Sequence, residues 1–397
     1  MNTQGSLATP RDIAAALAAP LPATVRAAVS LPGATTEVRS LDPGRASSAV
    51  GWLQVESSAL CGTDLDLYHR GLGHPTVMGH HAVGRIVSLT PAMEWSWDVR
   101  VGDRVALEEY LPCGLAACDA CSKPDIYRFC PDADLWGGQR RLGMLGLHEG
   151  SGLHGGNAEY LELSTHTVLH KLPQDLDSNL AAWTQPFANA VDWVVNIGGA
   201  MAGSRVAVIG PGYHGVAAVA AARAVGAQEI VVLGRNSRTS RERLAIAEAM
   251  GATIVVNDEA ANTSAALGRQ AKGQGFDVIV DTVGLGGPAV QAAEQLRKLG
   301  RLVLAGLGDT PVAEVNLKTL VRGAAGIVGV RGRSPRAVTR SIELLAAGGT
   351  GLEHVPSIDV GLEGINDLFR TLLDRSGPSS PHVVVRPGLA PGPTPTH

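Results

Sequence analysis

The rhythm of apolar and polar positions changes near residue 203. Before it, over 24–170, short apolar runs at 51–55, 84–89 and 104–107 are separated by Gly, Pro and Asp, the punctuation of turns between strands. After it, apolar strands alternate with helices. Residues 205–209 read as a short strand, Gly210-Pro211-Gly212 breaks it, and an Ala/Val-rich helix runs through 225. A second strand is predicted at 229–233, a helix at 241–250 and a third strand at 253–256. Strands at 277–281, 302–305 and 325–328 continue the series, with helices at 288–299 and 335–347. Such alternation predicts an α/β unit with a parallel, doubly wound sheet covered on both faces.

The end of the chain, 355–386, returns to mixed strand and helix character, and no repeat of solenoid period is visible. The expected organisation is an extension over 1–23, a β-rich domain over 24–183, a dinucleotide-binding domain over 184–325, and a return to the first domain over 326–387. Residues 388–397, with three prolines, read as a disordered tail.

Composition narrows the class. Of the 397 residues, 45% are hydrophobic and 18% charged, which fits a soluble two-domain enzyme rather than a disordered chain. The 49 glycines suit many tight strand-to-helix turns. A net charge of −4 argues against a nucleic-acid footprint. No run approaches the ~18 apolar residues of a membrane span. The Ala- and Pro-rich segment at 13–23 lacks a preceding basic cluster, so it reads as a ragged extension rather than a cleaved leader, and a cytoplasmic protein is expected.

Gly210-Pro211-Gly212-Tyr213-His214-Gly215 follows a strand and opens a helix, the context in which G-x-G-x-x-G binds a dinucleotide. The first glycine allows the tight turn, the second lets backbone approach the pyrophosphate, and the third lets helix and strand pack. The helix N-terminus offers N–H groups to the phosphates. Where an NAD enzyme carries a carboxylate for the ribose, this chain has Leu233-Gly234-Arg235-Asn236-Ser237-Arg238. Gly234, Arg235 and Arg238 leave room and positive charge for a 2′-phosphate, so NADP is favoured over NAD. The competing reading is a solvated basic loop.

All five cysteines lie in the first third of the chain. Cys113, Cys118, Cys121 and Cys130, spaced C-x4-C-x2-C-x8-C, can close a tetrahedral shell around a structural zinc. Upstream stand Cys61-Gly62-Thr63-Asp64 and Gly79-His80-His81.

With these, Val101-Gly102-Asp103-Arg104-Val105, Gly155-Gly156-Asn157-Ala158-Glu159-Tyr160 and Gly300-Arg301-Leu302-Val303 follow in an order that resembles the zinc-dependent medium-chain alcohol dehydrogenases, in their threonine/sorbitol dehydrogenase-like branch. The resemblance covers roughly 24–387. It implies a Rossmann sheet inserted into a β-rich, GroES-like catalytic domain, an active site in the cleft between them, and a homodimer or homotetramer. It further implies reversible hydride transfer between an alcohol, or its ketone or aldehyde, and NAD(P).

Carried over by position, Cys61 and His80 look like ligands of a catalytic zinc, Thr63 like the hydroxyl that passes the substrate's proton on, and Asp64 like the carboxylate that orients a metal-bound histidine. Three positions depart from the family. His81 stands where Glu often follows Gly-His, Asp66 where a terminal relay histidine often lies, and Gln185 where Cys, Asp or Glu usually supplies the third ligand. The expected ligand set is Cys61, His80 and Gln185, with His81 as a substitute, and Asp66 or water as the proton's exit. These departures keep two other readings open. One is a metal-independent reductase of an activated C=C or imine-like bond. The other is a non-catalytic dinucleotide-binding sensor. Substrate loops around 65–75, 136–146 and 188–193 carry no motif, and Trp136, Phe187 and Trp193 read as an apolar pocket or as core aromatics.

Overall fold

The computed structural model describes residues 21–46, 48–134, 140–308 and 312–390. Most of the N-terminal extension, the last residues of the tail, and Trp136 thus lie outside the described residues. The chain forms two compact units. One comprises the described residues of 21–182, 359–376 and 383–390, the other those of 183–358 and 377–382.

The first unit carries β1 (Val25–Leu31), β2 (Thr35–Leu41), β3 (Gly51–Ala59), β4 (Thr76–Val77), β5 (Ala82–Leu89), β6 (Arg104–Leu107), β7 (Tyr160–Leu163) and β8 (Leu169–Lys171). Antiparallel pairing runs β2-β1-β4 in one sheet and β3-β5-β6-β8 in a larger one, with β7 also on β3. β3 carries buried side chains on both faces, with Gln54 exposed between them. Leu53 and Val55 pack with Ile86, Val105, Leu107 and Leu161, while Trp52 packs with Val25, Val29, Val77 and Leu153. Two cores gripping one strand fix its register, because a slip of one residue would exchange its faces. Ser58 therefore pairs with Ala82, and the residues just past β3 and just ahead of β5 emerge at one edge. Those residues are Cys61, His80 and His81.

The second unit holds β9 (Arg205–Ile209), β10 (Glu229–Gly234), β11 (Thr253–Val256), β12 (Phe276–Asp281), β13 (Leu296–Leu304) and β14 (Gly326–Gly329). Their order is β11-β10-β9-β12-β13-β14, every pair parallel, which is the doubly wound dinucleotide-binding arrangement. The helix Tyr213–Ala224 buries residues 215–222 without a break, and its small side chains let it lie close on the sheet.

Two expectations are corrected. The helix predicted at 288–299 ends with a tight turn at Ala292–Gln295, and Leu296 begins β13. Leu296 pairs with Phe276, Arg297 is ion-paired to Asp277, and Leu299 takes φ +66 in a register shift of the β12–β13 pair. Strand pairing overrides the local helical pattern. The domain boundary expected at 325 also falls early, because Gly326–Gly329 is the sixth strand and the helix Pro335–Ala347 belongs to the same unit. The chain returns to the first unit only at Asp359 and gives 377–382 back to the second. The strands β15 (Ser357–Val360) and β16 (His382–Val385) complete the larger first sheet beside β3. No described helix is long and apolar enough to cross a membrane.

Candidate active site

Cys61 caps the helix Gly62–Arg70. Its Sγ accepts the Thr63 N–H at 3.3 Å, and the Asp64 carboxylate accepts the Cys61 N–H at 2.9 Å. This is a capping box with Cys in the place of Ser and Asp in the place of Glu. His80 Nε2 lies 3.0 Å from Cys61 Sγ, and His80 Nδ1 lies 3.1 Å from Asp64 Oδ1. The His81 ring stands 4.4 Å from that of His80. One ligand atom from each of Cys61, His80 and His81 falls within 4.8 Å of the others, and all three residues are buried.

The histidines are presented by the turn at Gly79, whose φ of +96 suits only glycine. A Cβ there would fall 2.6 Å from Asn157 Oδ1 and Ser58 Oγ. The Gly156 N–H donates to Gly79 O at 2.7 Å and the Asn157 N–H to Met78 O at 2.9 Å, so the Gly155–Tyr160 motif is the backing of this turn.

A thiolate and two imidazoles are a donor set suited to zinc. Asp64 behind His80 supplies the carboxylate that such histidines use for orientation. Burial opposes charge on His80, yet the Asp64 carboxylate and the Cys61 sulfur outweigh it and hold its pKa well above the ordinary value. The pocket therefore stabilises positive charge where Cys61 and His80 converge, which is the place a cation takes.

Thr63 is half-buried beside Cys61. Asp66 is turned away, exposed on the helix and ion-paired to Arg70 at 2.7 Å, with no hydrogen bond to Thr63 among the described residues. The exit role expected of Asp66 is thus not carried by the geometry. Gln185 is buried on the helix Thr184–Ala190 of the second unit. Phe187 and Trp193 are core aromatics, the latter donating its indole N–H to Gly332 O at 2.9 Å.

The cysteine loop converges as its spacing requires. The sulfurs of Cys113 and Cys121 lie 3.5 Å apart, those of Cys118 and Cys130 4.0 Å, and all four are within 4.8 Å of one another. Zinc ligated at ~2.3 Å sets tetrahedral sulfurs ~3.8 Å apart, so the loop fits the ion. The backbone N–H of Cys121 draws the Cys118 thiol down to about 7, whereas burial, followed by the neighbouring thiols, pushes Cys121 up to about 12. A shared cation relieves that conflict among crowded thiolates.

In the second unit, Gly210 takes φ +99, and a Cβ on Gly215 would fall 1.8 Å from Gly210 O. A Cβ on Gly212 would meet nothing within 4 Å, so there the turn is open. Gly212 caps its helix without a side-chain bond, leaving the first-turn N–H groups for an anion. His214 bonds Asn189 Nδ2 at 3.2 Å, and Asn189 Oδ1 accepts from the buried Arg333 at 3.2 Å. Tyr213 stacks near Trp183, ring centroids 5.1 Å apart. A side chain at Gly234 would crowd Ser240 Oγ at 2.7 Å and Leu244 Cδ1 at 2.9 Å, so a larger residue there needs Ser240 and Leu244 to shift. Arg235 is exposed with no bond among the described residues. Arg238 is engaged within the second unit, its guanidinium binding Ser379 Oγ at 2.9 Å and Gly377 O at 3.2 Å.

Sequence reading missed Asn189 behind His214 and the pair Asp281-Thr282. Asp281 gathers three backbone N–H groups, and Thr282 Oγ1 donates to Ile209 O at 2.9 Å beside the glycine turn. Their position at the carboxyl end of the fourth parallel strand was the available signal.

A doubly wound dinucleotide sheet joined to a unit with two Cys/His donor clusters defines a nicotinamide-dependent oxidoreductase of the zinc type. Residues 52–174 match the family described as alcohol dehydrogenase GroES-like domain, and 215–347 that described as zinc-binding dehydrogenase. A probable alcohol dehydrogenase of Mycobacterium tuberculosis is 33% identical over 350 residues, covering 84% of this chain and 91% of the relative. The solved 2R,3R-butanediol dehydrogenase of Bacillus subtilis is 22% identical with a TM-score of 0.74, covering 92% of this chain and all of that one. A short chain alcohol dehydrogenase of Escherichia coli, complexed with cofactor NADH, has a TM-score of 0.75 at 20% identity, covering 92% and 100%. At such identity these two likenesses speak for the fold. The chain belongs to the zinc-dependent medium-chain alcohol dehydrogenase family, and it is an oxidoreductase that works with a nicotinamide cofactor.

Proposed function

We propose that the chain interconverts a small alcohol and its carbonyl, with Cys61, His80 and His81 holding the catalytic zinc. The observation that carries this reading is the buried convergence of those three ligand atoms in front of Asp64. When bound, zinc supplies Lewis acidity that lowers the pKa of the substrate hydroxyl. Asp64 accepts a hydrogen bond from His80 Nδ1–H and so directs Nε2 toward the metal. Thr63 takes the hydroxyl proton and releases it to water, since Asp66 faces away. The second unit holds the nucleotide by the Gly210–Gly215 turn and orients it for hydride transfer. One thiolate and two neutral imidazoles leave the site near +1, where a two-anion set would neutralise it. That excess favours a negatively charged substrate oxygen.

The purified chain is expected to hold about two zincs, one in each cluster. A chelator should remove one together with alcohol turnover, and zinc should restore both. Turnover that survives removal of the second zinc points instead to metal-free hydride transfer.

NADP is the favoured cofactor. The crowding at Gly234 and the unengaged Arg235 support it, and Arg241, bonded to Asn236 Oδ1 at 3.3 Å, adds charge nearby. Arg235→Ala should lower kcat/KM for NADP by roughly 10- to 100-fold, the worth of a charge-assisted phosphate contact, and leave NAD nearly unchanged. An unaltered ratio of the two would remove Arg235 from the site.

A further inference from the structure

The first unit contains a cleft of about 470 Å³ whose lining includes no candidate metal ligand. It holds three arginines, Arg85 on β5, Arg104 on β6 and Arg386 just past β16. Glu56 binds two of them, Arg104 Nε at 2.8 Å and Arg85 Nε at 3.4 Å. Arg104 spends its remaining nitrogens on Leu176 O and Ser178 Oγ. Arg85 Nη1 donates to Gly102 O and Gln174 Oε1, and Arg386 binds Asp359 Oδ2 at 2.6 Å through Nε and Asn179 Oδ1 through Nη2. Arg85 Nη2 and Arg386 Nη1 are left without a partner among the described residues.

Three guanidinium groups against the carboxylates of Glu56 and Asp359 leave one net positive charge. The two unspent donor edges belong to side chains already fixed by other bonds, so little further ordering is needed when a ligand arrives. Apolar wall comes from Val55, Leu176 and Leu389. The volume lies in the range of small-molecule sites, ~300–1,000 Å³. A single net charge with apolar wall suits a monoanion carrying a hydrocarbon body better than a compact dianion.

We propose that this cleft binds a small organic monocarboxylate, its head taken by Arg85 and Arg386 and its chain by the apolar wall. The test is calorimetry on the zinc-loaded full chain with acetate, butyrate and hexanoate, and separately with inorganic phosphate. Hexanoate is expected to bind saturably and more tightly than acetate. Arg386→Gln should weaken it at least tenfold. Since Arg386 also anchors Asp359, Arg85→Gln serves as the second variant and should weaken hexanoate similarly. Hexanoate affinity left in both variants at the value of the unsubstituted chain would overturn the proposal, because binding then lies elsewhere. Phosphate binding without carboxylate binding would overturn it too, since the cleft would then select a compact inorganic anion.

Discussion

Cys61→Ala is expected to lower alcohol turnover by about a thousandfold or more while the fold survives. The size follows from the role. Lewis-acid stabilisation by a bound metal is worth several kcal/mol at the transition state, and each ~1.4 kcal/mol is a factor of ten in rate. Cys61 also caps the helix Gly62–Arg70, and losing a cap costs only about 1 kcal/mol, far too little to unfold the unit. Cys61→Ser separates the two effects. A serine hydroxyl keeps the bond to the Thr63 N–H but is a poor, neutral ligand for zinc. Both variants should therefore lose turnover and about one zinc per chain, whereas only the alanine should lose helix stability. The check is kcat by nicotinamide absorbance beside the metal content. Full turnover in either variant would refute the zinc-dependent reading.

What the sequence made legible follows the length scale of the signal. The strands at 205–209 and 253–256 were readable residue by residue, the first as a buried apolar run and the second, at the sheet edge, as a short β-branched run, each bounded by turn residues. The four cysteines were readable because metal ligation imposes short, fixed spacings. β13 was not, for Leu296–Leu299 has helical periodicity, and only pairing with β12 and the ion pair of Arg297 with Asp277 makes it extended. Arg238 looked like a phosphate ligand on position alone. Its contacts with Gly377 and Ser379 lie about 140 residues away, beyond any local pattern. Asp66 failed for the opposite reason, since a residue five after Cys61 on a helix is carried round toward solvent and Arg70. Long-range partners decided each of these except the last.

The third ligand is where local resemblance and geometry part, and a pair of variants separates them. His81→Ala is expected to weaken zinc in the catalytic site by at least about a hundredfold, more than the 10- to 100-fold typical of disturbing an outer-shell partner. Turnover should fall nearly as far as in Cys61→Ala. Gln185→Ala should keep about two zincs per chain. The reasoning is chemical first. A neutral amide oxygen is a hard, weak donor for zinc beside a thiolate, whereas imidazole is among its common ligands. Geometry adds that His81 is buried with Cys61 and His80 at one edge of β3 and β5, a position set by the register of those strands rather than by a flexible loop. Removing a buried ring also leaves a cavity, so each variant is measured for metal content and thermal midpoint together, with the zinc of the cysteine loop as the internal standard for an intact fold. If Gln185→Ala loses the metal and His81→Ala keeps it, Gln185 is the ligand and His81 only packs against His80. With His81 as ligand, the site keeps one excess positive charge, and mutating His81→Asp should restore zinc binding while slowing turnover, because the added carboxylate cancels the charge that favours the anionic substrate oxygen.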